Sequence, residues 1–89
     1  MNRVLFAGTV NAKPDIVYTP KGEKVVVFPM LVKEGFFVID VIFVDSTGGT
    51  DFTGLAGKGI IVTGALTKTR AGSGNVFQLK ANKILRTEE

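Results

Sequence analysis

Two long runs of β-branched and aromatic residues, joined by a tight turn, constrain the fold of this chain most. Glu23 to Lys33 carries Val25, Val26, Val27, Phe28, Met30, Leu31 and Val32, and Phe36 to Val44 follows directly after Lys33-Glu34-Gly35. Residues branched at Cβ fit a pleated surface and lose rotamer freedom in a helix, so both runs read as strands. Pro29 lies inside the first run and supplies no N–H, which predicts a bulge, a bend or a free edge there. Asn2 to Val10, Ile60 to Arg70 and Asn75 to Leu85 complete a set of five strands. In the first of these both alternating sets are partly apolar, as suits a strand covered on two sides or lying at an oligomer face.

Turn chemistry punctuates these runs. Pro14 and Pro20 bracket a short extended segment that ends in Pro20-Lys21-Gly22, a turn signal. Asp45-Ser46-Thr47-Gly48-Gly49-Thr50 is a loop by composition. Asp51 to Ala56 has room for one helical turn with Thr50 or Asp51 as N-cap, and Gly54 and Gly57 stop anything longer. Ala71-Gly72-Ser73-Gly74 has the length and glycine content of a hairpin connection. The chain is thus all-β, and this pattern alone fits several small barrels.

Size and composition narrow the function. The 89 residues make a single domain, 1–89, that buries only about 60% of its unfolded surface, so oligomerisation is expected. Cysteine and histidine are both absent, which removes disulfides, thiolate chemistry, most zinc sites and the usual general base. The only serines, Ser46 and Ser73, lie in glycine-containing loops. No enzyme activity, cofactor or metal is expected. Gly54 to Gly59 is not a phosphate loop, because Phe52 stands at the first glycine position and Gly59 replaces the Ser or Thr. A formal charge of +3 and a pI near 9.5 lean toward an anionic partner. No run of about 18 apolar residues and no signal peptide is present, so the expected location is cytoplasmic, with no membrane partner.

The residues Asn2-Arg3-Val4, Gly8, Pro14, Tyr18-Thr19-Pro20 and Gly22, in this order and spacing, resemble the start of the bacterial single-stranded DNA-binding protein family. Phe37-Val38-Ile39-Asp40-Val41-Ile42-Phe43-Val44 is similar to that family's third strand, and Lys58-Gly59-Ile60-Ile61-Val62-Thr63-Gly64-Ala65-Leu66 to its fourth. The resemblance covers most of the chain. It implies a five-stranded oligonucleotide/oligosaccharide-binding (OB) barrel with at most one short helical turn between strands three and four. It also implies single-stranded DNA as ligand, and a homodimer or homotetramer formed partly through the first strand. Phe37 and Phe43 fall at the family's base-stacking positions, and Phe36 lies near another.

Binding of single strands requires flat apolar platforms with cations beside them. Phe37, Ile39, Val41 and Phe43 share one face of the third strand. Phe36, Val38, Ile42 and Val44 lie on the other, so one set is surplus to a core. The resemblance tips Phe37 and Phe43 toward binding. Lys33, Lys58, Lys68, Arg70 and Lys80 are candidate phosphate contacts. Phe6, Phe28, Phe52 and Phe77 are assigned to packing, and Tyr18 is open between packing and binding. Asp40 lies on the Val38/Ile42 face, either buried with a partner or turned outward by a bulge.

Departures from the family shape the functional expectation. There is no Trp, the hairpin between the last two strands is short, and Ala71 stands near a common aromatic. Affinity and site size should be reduced. The chain stops at Glu88-Glu89, without the family's linker and acidic tip, so recruitment through that tip should be absent. A compact, tailless form resembles primosomal replication protein N, which implies a role in DNA replication, restart or repair and a replication-restart helicase as partner. The alternative is an OB-fold protein–protein interaction module, a primosome-type adaptor with weak or no DNA binding.

Overall fold

The computed structural model describes residues 1–45, 52, 54–71 and 74–87; of 69–71 and 74–76 it describes the backbone alone. Six strands follow one another: β1 (Val4–Val10), β2 (Asp15–Tyr18), β3 (Lys24–Val32), β4 (Phe37–Asp45), β5 (Gly59–Ala71) and β6 (Gly74–Arg86). They are hydrogen-bonded in the order β1-β5-β6-β4-β3-β2, and β1 also pairs with β3. That last pairing closes β1, β5, β6, β4 and β3 into a five-stranded barrel, with β2 attached outside it. All pairs are antiparallel except β4 with β6. This is an OB fold.

β3 explains how a short chain closes a barrel. One edge pairs with β4 along its whole length, from Lys24↔Asp45 to Val32↔Phe37. The other edge is divided: Lys24 to Val27 pair with β2, and Met30 to Val32 pair with β1. Pro29 sits in the gap between these partners. Its carbonyl accepts a bond from Asn11 N at 2.8 Å, so its backbone polar groups face that divided edge. Its missing N–H therefore costs the β3–β4 ladder nothing. Pro29 causes no break in the β3–β4 register, and the edge it faces is shared between β2 and β1 rather than free. Gly8 permits the closure, because a Cβ there would collide with the Leu31 carbonyl.

The core fills the barrel with alternate residues of each strand. Val26, Phe28, Met30 and Val32 of β3 pack with Val10, Ile39, Val41, Ile60, Val62 and Leu79. Each fully buried side chain of this size contributes about 1.5–3 kcal/mol. Phe52 and Leu55, from the β4–β5 connection, cover one end of the core. The proposed capping residues Thr50 and Asp51 lie outside the described residues. Among the described residues there is no helix. Leu55 N bonds to Phe52 O at 3.3 Å and Lys58 N to Leu55 O at 3.0 Å. No helix among the described residues is long and apolar enough to cross a membrane.

Beyond the barrel β5 and β6 continue as a two-stranded arm. β1 leaves β5 at Val4↔Gly64, and β4 reaches only to Gln78 of β6, while β5 and β6 pair on to Ala71↔Gly74. Of the expected connection Ala71-Gly72-Ser73-Gly74, Ala71 and Gly74 are the paired ends of the strands, and Gly72 and Ser73 lie outside the described residues. The Asn2 side chain pins the base of the arm: its Nδ2 donates to Leu66 O at 2.6 Å, and Leu66 N donates to its Oδ1 at 3.1 Å.

Candidate nucleic-acid interface

The two faces of β4 are assigned by its partner β3. Phe28 pairs with Val41 and Met30 with Ile39, and all four are buried, whereas Val38, Asp40 and Val44 are exposed. The face shared by Phe37, Ile39, Val41 and Phe43 is therefore the barrel interior. This corrects the expectation that this face was surplus to the core. The large side chains of β3, Phe28 and Met30, stand on the matching side, and they decide which face of β4 is enclosed. Asp40 is exposed on the outer face within a continuous register, so it is neither buried nor displaced by a bulge.

Phe37 and Phe43 occupy opposite ends of the inner row and differ in environment. Phe43 is half-buried, and its ring packs 5.9 Å from that of Phe52. Lys24 Nζ lies 5.8 Å from the centroid of the same Phe52 ring and 3.8 Å from the carboxylate of Asp45, whose side chain is 2% exposed. Phe43 thus packs at the Phe52 end of the barrel and is less exposed than Phe37. Phe37 is 41% exposed and meets Phe6 edge-on at 5.7 Å, a favourable aromatic arrangement. Its ring also lies against Gly35, where a Cβ would strike it.

The β3–β4 turn, Lys33 to Phe36, gathers further candidates. Phe36 is 88% exposed and has a φ of 53°, the left-handed region that bulky residues rarely occupy. Lys33, at the start of the same turn, is also exposed. Two exposed rings and an exposed cation therefore lie within this short stretch of chain.

The arm adds a residue that the sequence reading assigned to packing. Phe77 is 52% exposed and pairs with Lys68 across β5 and β6. Its two-residue phase with buried Leu79 suggests a core position. The arm has left the barrel by then, and among the described residues no opposing layer covers it. Arg70 follows two positions after Lys68, with its side chain outside the described residues. Lys80 is exposed on the outer face beside Ile42 and Ala65. Lys58 is exposed just before β5, where Val10 holds it through Val10 N to Lys58 O at 3.0 Å. The structure thus brings together Lys33, Phe36 and Phe37, pairs Lys68 with Phe77, and sets Lys58, Lys80 and Phe43 elsewhere.

The outer face of β2, β3 and β4 carries no aromatic ring. Val17, Val25 and Val44 form one row across it, and Val38 is exposed further along β4. Tyr18 is exposed on β2 and pairs with Lys24.

No family model matches the chain, and no curated protein matches it in sequence. Solved structures do. The single-stranded DNA-binding protein of Thermus aquaticus superposes with a TM-score of 0.85 at 25% identity over 100% of this chain, which spans 41% of that protein's chain. The second single-stranded DNA-binding protein of Mycobacterium smegmatis gives 0.81 at 11% identity, over 98% of this chain and 87% of that one. The dimeric N-terminal domain of PriB from Thermoanaerobacter tencongensis gives 0.76 at 18% identity, over 99% and 98%. The chain has the OB barrel in the form found in these bacterial single-stranded DNA-binding proteins and in PriB.

Proposed function

We propose that this chain is a sequence-tolerant single-stranded DNA-binding module without catalytic activity, serving DNA replication, restart or repair. The observation that carries the reading is Phe36, a nearly fully exposed ring held in a left-handed turn beside Lys33 and Phe37. Phe77 with Lys68 extends the same chemistry onto the arm. Bases stack on such rings while lysines meet the phosphates. Fluorescence anisotropy with labelled oligo-dT tests the assignment: Phe36→Ala and Phe77→Ala should each weaken binding about 5- to 150-fold, following the ~1–3 kcal/mol per stacked base. Unchanged affinity in both variants would remove the stacking mechanism.

Self-association accompanies this reading. Residues Val4 to Ala7 pair with β5 alone, since the β1–β3 register begins at Gly8. That half of β1 offers a strand edge to a second copy, consistent with a homodimer or homotetramer. A replication-restart helicase is the partner the proposal carries outside the chain itself.

A second reading draws on the aliphatic outer face of β2, β3 and β4. Exposed valines without rings or cations suit a protein partner better than a nucleic acid. In that reading the chain is an OB-fold adaptor, and oligo-dT binding is weak and independent of salt.

A further inference from the structure

We infer that Lys24 is the latch of a hinged plug at one end of the barrel. Its ammonium holds Phe52, and with it the connection of residues 54–58, in place. Loss of the latch raises the population in which that connection opens while the barrel stays closed.

Lys24 and Asp45 form the first rung of the β3–β4 ladder. Lys24 has the two-residue phase of Val26 and Phe28, and Asp45 that of Val41 and Phe43, so both side chains point toward the barrel interior. The four other rungs on that face, from Val26↔Phe43 to Val32↔Phe37, are apolar. A charged pair in such a position often adds no more stability than apolar packing of the same volume would. What it supplies is direction. Lys24 Nζ lies 3.8 Å from the Asp45 carboxylate and 5.8 Å from the centroid of the Phe52 ring, within reach of a cation–π contact. One ammonium therefore ties β3, the end of β4 and the connection together, and it requires the face of the Phe52 ring above it.

The connection is fixed again at its far end. Gly57 N donates to Val10 O at 2.8 Å, and Val10 N donates to Lys58 O at 3.0 Å. Gly54 and Gly57 hold φ of 72° and 82°, with open space where a Cβ would stand. Glycine turns there at little steric cost, so the connection can swing about its attachment to β1. The swing withdraws Phe52 and Leu55 from the core. The open form is therefore a minority state, of the kind that local unfolding populates, and the latch sets its population.

Native-state amide exchange across a denaturant series tests the device. In the wild type the amides of Leu55 and Lys58, bonded to Phe52 O and Leu55 O, should exchange faster than the β3–β4 ladder and with a weaker dependence on denaturant. Lys24→Met should speed both by about 2- to 30-fold, the range of a cation–π contact. The Gly57 amide, held by Val10, should not respond. Lys24→Arg keeps a cation that stacks on rings and should stay within about twofold of the wild type. Combining Lys24→Met with Phe52→Leu should add less than the two changes do separately, since both remove one contact. Asn2→Ala, remote from the plug, should leave Leu55 and Lys58 unchanged. Unaltered rates at Leu55 and Lys58 in Lys24→Met overturn the latch. So does wild-type exchange there with the rate and denaturant dependence of the ladder, a result that stands whether or not Lys24→Met folds.

Discussion

At Phe36 a bulky L-residue holds a φ of 53° while its ring stays in solvent. A left-handed backbone costs roughly 1–2 kcal/mol for such a residue, and glycine would adopt it freely. Phe36→Gly should therefore raise the melting temperature while lowering oligo-dT affinity, two changes of opposite sign from one substitution. Parallel thermal denaturation and anisotropy read both, and a variant that loses stability and keeps affinity contradicts the account. Phe43 presents the reverse case. It packs on Phe52 at the enclosed end of the barrel, so Phe43→Ala should destabilise by about 2–4 kcal/mol, with little effect on affinity below its unfolding transition. The two phenylalanines look alike in sequence. What separates them is the position of Phe52, in the connection after β4, which no pattern within β4 itself reports. The turn held a similar surprise: Gly35 is the natural residue for a left-handed conformation, yet Phe36 adopts it.

Among the elements, strand positions were legible and their surroundings less so. The runs around Val25 to Val32 and Phe37 to Val44 became β3 and β4 with little change at their ends, because β-branched density and the Lys33-Glu34-Gly35 turn are local signals. The enclosed face of β4 was not legible from β4 itself, since both of its faces are apolar. It becomes so once the register with β3 is known, for Phe28 and Met30 lie on one side only. Phe77 was missed because alternation with Leu79 cannot tell where a strand leaves the barrel. The arm's anchorage makes a prediction at this scale. Asn2→Ala removes the paired bonds to Leu66 and should cost about 0.5–1.5 kcal/mol. It should also speed amide exchange at Leu66, and unaltered exchange there would show that Asn2 does not hold the arm.

For the whole molecule, the barrel's two unsatisfied surfaces bear on assembly. The open edge of β1 and the valine row of Val17, Val25 and Val44 both lie outside the core. Sedimentation at micromolar concentration should show a dimer or tetramer, and a clean monomer would count against the β1 edge as an interface. The OB order of strands was legible through the resemblance, whereas the closure through Gly8 and the divided edge of β3 are properties of the assembled barrel. The central claim is that this barrel binds single strands through stacking and phosphate contacts. The most direct measurement is the affinity of the wild-type protein for oligo-dT by fluorescence anisotropy across a salt series. Saturable binding at micromolar protein or below in low salt, weakening steeply and log-linearly as salt rises, is the predicted result; no binding at micromolar protein in low salt would contradict it.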